Sequence, residues 1–213
     1  MAAGKQIVLV TGVNSGTGLE TAYYPTKTAN NHVIMGVRNL EKSQSRKPQS
    51  TLGLLALHVS VDESIHAAAK NLEATLGRLD VLVNNAGNQI QPRLLAHGQL
   101  REAFEINIYG TVILTQTLIP LILASQGKNI INLPPSTRSA RQLTTHLKDQ
   151  GGKVWSFCPG FVVTNLVGQR KYRVAMGAQS SETSVQAVLD IVEGKKNVEA
   201  GTFIGRYDVR IPW

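Results

Sequence analysis

The fold is decided by the stretch TGVNSGTGLE, residues 11–20, which follows the apolar run Gln6–Val10 and leads into a helix-favouring segment. Gly12 permits a tight turn, and Gly16 lets backbone N–H groups come close to a diphosphate. Gly18 lets the helix pack closely against the strand, and the helix N-terminus presents partial positive charge to the phosphates. This context predicts that residues 12–18, including Asn14 and Ser15, bind a dinucleotide.

Short apolar runs alternate with helical patterns along the rest of the chain, with no internal repeat. The runs predict strands at Gln6–Val10, His32–Val37, Leu54–Val59, Val81–Asn84, Asn129–Leu133, Val154–Cys158 and Thr202–Ile204. The helical patterns are Thr17–Tyr23, Ser64–Leu76, Leu100–Leu123, Ser139–Lys148 and Glu182–Glu193, with Asp62, Glu63 and Ser64 as capping residues. This alternation predicts an α/β fold with a doubly wound parallel sheet in a three-layer α/β/α arrangement. We expect one domain over residues 1–213.

The amino-acid composition and charge indicate which classes of function are not expected for this protein. The net charge is +8, but the basic residues are spread out and aromatic residues are only 5%, so we expect no nucleic-acid partner. A single cysteine, Cys158, and scattered histidines predict neither a disulfide framework nor a metal site. The apolar region Thr111–Ala124 is interrupted by polar residues and Pro120, which predicts a core helix, no membrane span and a cytoplasmic protein.

Four ordered landmarks carry a family resemblance. The first is the glycine spacing Gly-x-x-x-Gly-x-Gly at residues 12–18, and the second is Asn84-Asn85-Ala86-Gly87 after the fourth strand. Asn107 on the long helix and Pro159-Gly160 after the sixth strand complete the set. In these features the chain resembles the short-chain dehydrogenase/reductase family, and its amino-acid sequence is most similar to fungal members. The resemblance implies a Rossmann-type fold and a nicotinamide cofactor.

The second strand ends at Arg38, where an acid would bind the ribose hydroxyls of NAD. A planar guanidinium suits a 2′-phosphate, so we expect NADP(H), with the Ser15 hydroxyl on the same phosphate. By resemblance, the adenine position after the third strand falls on His58, with backbone contacts from Val59. The resemblance also implies cofactor contacts from the segments after the fourth and sixth strands: Asn85, Ala86, Gly87, Pro159, Gly160, Val162 and Thr164.

The acid–base half of the family site is largely missing. The family uses a serine after the fifth strand and a Tyr-x-x-x-Lys pair on the next helix, whereas this chain has Pro134-Pro135-Ser136 and no tyrosine before the sixth strand. Lys148 lies towards the far end of the shortened helix. Asn107 and a substitute acid, which is Ser136, Tyr172 or a water molecule, are therefore the catalytic candidates. The Tyr23–Lys27 spacing is interpreted as a coincidence, and Tyr109 as a packing or interface residue.

Two functions stay open from the family resemblance, and a third class, nucleic-acid binding, rests on the net charge alone. One is an NADP(H)-dependent oxidoreductase that acts on a small-molecule carbonyl or secondary alcohol, with a role in secondary metabolism suggested by the fungal resemblance. The other is a redox-silent relative: a cofactor-binding scaffold, a non-redox catalyst or a partner of an active homologue. The short catalytic segment reflects either divergence or a faulty gene model. A weak homodimer is expected through the helix Leu100–Leu123, with Phe104, Ile108, Val112 and Leu118 available.

Overall fold

The computed structural model describes residues 4–13, 16–27, 30–44, 52–88, 96–133, 137–160, 162, 174–178, 180, 182–205 and 209–212. Within these residues one eight-stranded sheet forms the centre of the molecule, in the order β3-β2-β1-β4-β5-β6-β7-β8. The strands in chain order are Gln6–Thr11, Asn31–Val37, Leu52–Ala56, Val81–Asn84, Asn129–Asn132, Lys153–Cys158, Phe203–Gly205 and Arg210–Ile211. Strands β1 to β7 are parallel, and only β8 pairs antiparallel, against β7.

The helices connect these strands. They are α1 Gly16–Tyr23, α2 Leu40–Gln44, α3 Asp62–Leu76, α4 His97–Phe104, α5 Thr111–Leu123, α6 Thr137–Leu147 and α7 Glu182–Val192. A π-helical segment, Glu105–Gly110, joins α4 to α5 without a break. Short 3₁₀ turns lie at Tyr24–Lys27, Lys148–Gln150 and Asn197–Glu199.

Two hydrophobic clusters, one on each face of the sheet, make the three layers. Alternate strand residues point to opposite faces, so Ile7 and Leu9 join one cluster while Val8 and Val10 join the other. The first cluster is covered by α3, α5 and α6, and the second by α1 and α7. The doubly wound α/β fold expected from the sequence is therefore confirmed, and β8 is an addition that the apolar pattern did not indicate.

Strand β3 begins at Leu52 and ends at Ala56, whereas the sequence predicted a strand at Leu54–Val59. The apolar pattern extends further since Leu57 and Val59 are buried in the core after the strand has ended. The predicted capping of α3 was also wrong. The residue before the helix is Val61, without a side-chain cap, and Ser64 Oγ instead accepts a hydrogen bond from the backbone N–H of His58 at 2.9 Å.

The continuous helix His97–Leu123 is long and apolar enough to cross a membrane by length and composition alone. Its α5 part packs into the first hydrophobic cluster through Leu114, Leu118, Leu121 and Ile122. This packing is that of a core helix, as the interrupted apolar pattern predicted. Burial of Leu118 also corrects one expectation, because this side chain is 0% exposed and is not available to a second subunit.

Candidate functional site

The turn after β1 is packed against the segment that follows β4. Gly12 adopts a φ of +69°, a left-handed conformation that favours glycine, and a Cβ there would lie 2.5 Å from the Cα of Ala86. A Cβ on Gly18 would overlap the amide of Asn85 and would lie 2.6 Å from the carbonyl oxygen of Gly12. Both glycines are therefore required by close backbone approach, as the spacing predicted.

Hydrogen bonds join these two segments. The Asn85 side chain donates from Nδ2 to the carbonyl oxygens of Thr11 at 2.8 Å and Gly12 at 3.1 Å. The backbone N–H groups of Asn85 and Ala86 both donate to Thr11 Oγ1, at 3.1 and 2.9 Å. Because both N–H groups are occupied within the protein, the expected contacts of Asn85 and Ala86 with a cofactor would have to use other backbone atoms.

The turn lies at the carboxyl edge of the parallel sheet, where α/β proteins bind ligands. Gly16 is the first residue of α1, so the helix begins directly at the turn. Asn14 and Ser15 lie outside the described residues, and their predicted phosphate contacts stay predictions.

Arg38 follows β2 at the same edge of the sheet and is exposed. It takes part in no ion pair within the described part of the chain. In the turn that follows the neighbouring strand β3, Val59 is buried, and its carbonyl oxygen faces Gly110, where a Cβ would overlap it. The carbonyl of Val59 is thus directed at the π-helical segment, which limits its predicted backbone contacts with a base.

Asn107 lies in the π-helical segment and binds the peptide groups of Asn88. Its Oδ1 accepts from the backbone N–H of Asn88 at 2.7 Å, and its Nδ2 donates to the backbone carbonyl of Asn88 at 2.8 Å. Such π-turns often occur at functional sites, and no pattern in the sequence indicated this one. Both polar atoms of the Asn107 side chain thus hold the segment after β4, and its predicted catalytic role stays a prediction.

A row of buried polar side chains crosses the sheet beside the site. Asn84, Asn132 and Ser156 stand in register on β4, β5 and β6. Asn84 Nδ2 donates to Asn132 Oδ1 at 2.8 Å and to Thr115 Oγ1 at 2.9 Å, which connects two strands with α5. Asn84 therefore holds the end of β4 in place, a role that its position in the Asn84–Gly87 motif did not reveal.

The segment after β6 is tied to α7. Ser184 Oγ donates to the carbonyl oxygen of Pro159 at 2.8 Å, and Gly160 adopts a φ of +73°. Val162 is buried. Gly87 and Gly160 are exposed near the carboxyl edge, so both could approach a ligand there. Thr164 lies outside the described residues, and its predicted contact stays a prediction.

The residues considered as replacements for the missing acid lie in different parts of the structure. Lys148 lies in the 3₁₀ turn that leads into β6, at the amino edge of the sheet and therefore opposite the phosphate turn. Tyr23 packs in the second hydrophobic cluster with α1, whereas Ile106, next to Asn107, packs against the first. The interpretation of the Tyr23–Lys27 spacing as coincidental is consistent with this placement. Tyr109 is exposed and lies 6.5 Å, between ring centroids, from Phe104.

The two candidate acids, Ser136 and Tyr172, lie outside the described residues, as do Pro134 and Pro135, and their predicted roles stay predictions. Helix α6 carries no tyrosine between Thr137 and Leu147. Among the described residues no group of three or more His, Cys, Asp or Glu side chains could hold a metal ion.

Comparison with known proteins assigns this chain to a family. The family model for short chain dehydrogenase matches residues 6–139 and so ends at the start of α6. The chain is 31% identical over 164 residues to the short-chain dehydrogenase anuI of Penicillium roqueforti, covering 72% of this chain and 65% of that protein.

A second relative aligns over nearly its whole length. The short-chain dehydrogenase/reductase tropE of Talaromyces stipitatus is 28% identical over 258 residues, covering 94% of this chain and 95% of tropE. Because this chain has only 213 residues, several dozen positions of that alignment have no counterpart in it.

Solved structures share the fold at low identity. Ribose-5-phosphate isomerase from Brucella melitensis superposes with a TM-score of 0.84 at 21% identity, covering 95% of this chain and 91% of that one. The NADPH-bound carbonyl reductase from chicken fatty liver superposes with a TM-score of 0.80 at 20% identity, covering 98% and 99%. These likenesses establish the fold, while the family assignment depends on the sequence matches.

Proposed function

Because this chain belongs to the short-chain dehydrogenase family of oxidoreductases, we propose that it binds NADP(H) and catalyses hydride transfer between this cofactor and a carbonyl or secondary alcohol. The observation that carries the proposal is the packing of Gly12 and Gly18 against Asn85 and Ala86 at the carboxyl edge of the sheet. That packing leaves no room for a side chain at Gly12 or Gly18, so the bare backbone there can be approached closely by a diphosphate.

The residues fit a dinucleotide in three respects. Gly12 and Gly18 carry no side chain at the turn, α1 begins at Gly16 directly behind it, and the exposed Arg38 lies at the end of the adjacent strand β2. When bound, the nicotinamide supplies or accepts the hydride. The chain's own contribution is to bind the phosphates, to orient the ring and to provide a proton.

The preference for NADP(H) is tested through Arg38. A charge-assisted bond to the 2′-phosphate contributes about 1.5–3 kcal/mol, so Arg38→Ala should weaken NADPH binding about 10- to 100-fold and leave NADH binding nearly unchanged. Fluorescence titration of both reduced cofactors measures this. Arg141→Ala on the exposed part of α6 is the matched control and should leave both affinities unchanged. Equal weakening of NADPH and NADH would contradict the assignment of Arg38.

The proton source is the second element of the proposal. A positioned acid contributes about 10²–10⁴-fold to such a reaction, and α6 offers no tyrosine for this. We propose that Ser136 or Tyr172 supplies or relays the proton. Ser136→Ala and Tyr172→Phe should lower kcat without changing the Kd for NADPH, and a variant that leaves kcat unchanged removes that residue as a candidate.

The activity itself is tested by stopped-flow mixing of NADPH with a panel of ketones and aldehydes. Oxidation of NADPH that depends on the carbonyl compound supports the oxidoreductase. Saturable NADPH binding without oxidation by any compound would instead support the redox-silent alternative. Sequencing the transcript across Leu133–Gly152 complements the assay, because an additional exon with Tyr-x-x-x-Lys would restore the family's acid.

The relatives also suggest a biological setting, which we propose here. We propose a role in fungal secondary metabolism, a small-molecule substrate, and a cytoplasmic location without a nucleic-acid or membrane partner. We also propose a weak homodimer through the surface of α4 and the adjoining π-helical segment, where Phe104 and Tyr109 are exposed.

A further inference from the structure

Two buried polar side chains on β5 and β6 each have an atom without a hydrogen bond. Asn132 ends β5 and stands in register with Ser156 on β6. Each residue is 1% exposed, yet Asn132 Nδ2 and Ser156 Oγ have no hydrogen-bond partner among the residues that the structure describes. A buried polar atom without a partner destabilises a protein, so we expect an occupant that satisfies both atoms.

The two unpartnered atoms lie on the same face of the sheet, and Nδ2 is directed towards β6. Residues two apart on a strand share a face, so Asn132 and Ser156 lie on the face of Ile130 and Val154, which α5 and α6 cover. Asn132 Oδ1 accepts from Asn84 Nδ2 on β4 at 2.8 Å. Because Oδ1 is turned towards β4, Nδ2 at the other end of the amide is directed to the side of β6 and Ser156.

One water molecule fits the spacing and the chemistry of this pair. Neighbouring strands are about 4.8 Å apart, and side chains in register on them are separated by a similar distance. A direct hydrogen bond is only about 2.9 Å long, whereas two bonds through one water span about 4.5–5.5 Å. A water can accept from Asn132 Nδ2 and donate to Ser156 Oγ. Both groups are neutral, so they would not balance the charge of a buried ion.

The Asn132 amide also connects this position to the turn after β1. Asn84, which donates to Asn132 Oδ1, is followed directly by Asn85. Asn85 Nδ2 in turn donates to the carbonyl oxygens of Thr11 and Gly12. A shift of the Asn132 amide is therefore transmitted through one hydrogen bond and one peptide unit to the side chain that holds the turn.

We propose that Asn132 and Ser156 bind one internal water molecule, and that this water positions the end of β4 for cofactor binding. Without the water, the Asn132 amide has to turn towards Ser156 to satisfy Nδ2, which weakens its bond with Asn84. With the water bound, both bonds form together, and Asn85 stays in place to hold the turn. The link to the cofactor rests on the proposed function, whereas the water site does not.

Crystal structures of the wild type and of Ser156→Ala test the water site directly. In the wild type, an ordered water should lie within about 3.2 Å of both Asn132 Nδ2 and Ser156 Oγ. In Ser156→Ala this water should be absent, because only one of these two partners remains. A wild type in which the two side chains bond each other directly, or in which no water lies between them, would overturn the proposal.

Fluorescence titration with NADPH tests the link to the cofactor. Ser156→Ala should raise the Kd for NADPH about 3- to 10-fold, which corresponds to about one neutral hydrogen bond. Ser156→Thr keeps the hydroxyl and should retain the Kd of the wild type. An unchanged Kd in Ser156→Ala, or a Kd raised equally in both variants, would overturn the positioning role. Thermal unfolding of each variant confirms that it is folded.

Ser125→Ala is the matched control, because it removes another buried serine hydroxyl far from the carboxyl edge. Ser125 lies just after the end of α5, and its Oγ donates to the carbonyl oxygen of Ile122 at 2.8 Å. This variant should lose stability but keep the wild-type Kd for NADPH. Equal weakening in Ser125→Ala and Ser156→Ala would mean general destabilisation and would overturn the link.

The two measurements separate this proposal from the proposed function. If the wild type does not bind NADPH, the proposed function and the positioning role both fail, while the crystal structure still decides the water site. If NADPH binds and the water is absent, the proposed function survives and this inference fails.

Discussion

At the scale of single residues, the site depends on positions where a side chain cannot be added. Gly18→Ala would place a methyl group against the Asn85 amide and the Gly12 carbonyl. We expect a loss of about 1–3 kcal/mol in the free energy of unfolding and a weaker affinity for NADPH, since the turn must shift. Urea denaturation and cofactor titration measure the two effects.

Gly98 provides the matched control for that substitution. It lies in α4, and a Cβ there would meet no atom within 4 Å. Gly98→Ala should therefore be neutral or stabilise the protein by up to about 1 kcal/mol through helix propensity. If Gly18→Ala behaved like Gly98→Ala, the close packing of the turn would be the wrong explanation for its glycines.

A second residue-scale prediction concerns His32 on β2. Burial, and secondarily the charge of Lys5, lower the pKa of His32 below its ordinary value of 6.5. The unfolded chain therefore takes up a proton as the pH falls through about 6.5, whereas the folded chain does so only at lower pH, so stability decreases with falling pH in the window just below 6.5. Above that value His32 has no such effect.

His32→Gln removes this titration. The free energy of unfolding of the variant, measured by urea denaturation between pH 8 and 5.5, should fall less steeply below pH 6.5 than that of the wild type. Parallel pH profiles for the two proteins would show that the environment of His32 does not disfavour its charged form.

At the scale of elements, the π-helical segment Glu105–Gly110 holds the segment that follows β4, through the hydrogen bonds of Asn107 to the backbone of Asn88. In Asn107→Ala, water can replace the lost bonds because Asn88 is exposed, so stability should change by less than about 1 kcal/mol. Hydrogen exchange at the Asn88 amide should be about 10-fold faster, and NADPH affinity about 2- to 10-fold lower. Asn107→Asp keeps the acceptor and should give an intermediate exchange rate.

Glu102→Ala, on the exposed side of α4, is the control for this element and should alter neither exchange nor affinity. Unchanged exchange at Asn88 in Asn107→Ala would mean that the segment is held by other contacts. The sequence identified Asn107 by resemblance, but it gave no sign of the π-turn or of Asn88 as the partner.

At the scale of the whole molecule, the exposed pair Phe104 and Tyr109 is the feature that a second copy would cover. They are 45% and 52% exposed, which is high for aromatic side chains. We expect concentration-dependent dimerisation in sedimentation velocity, and Phe104→Glu should shift the protein to monomer with little change in stability.

Val198→Glu is the control for the dimer, because Val198 is 86% exposed on the turn Asn197–Glu199, outside the proposed interface. It should leave the association unchanged. A wild type that stays monomeric at every concentration would exclude this interface.

The amino-acid sequence by itself determined the parallel sheet, the glycine turn, the family and the lack of a tyrosine on α6. These features are local, since each depends on the spacing of residues that are neighbours in the chain. The misplaced end of β3 has the same origin, because Leu57 and Val59 are apolar for packing and not for strand pairing.

Only the tertiary structure decided which distant residues meet. It brought Asn85 to the turn at Gly12, Asn107 to Asn88 and Asn132 into register with Ser156, and it placed Lys148 at the opposite edge. Contacts of this kind join residues on different strands and helices. They follow from how the elements pack and from side-chain direction, which no spacing along the chain encodes.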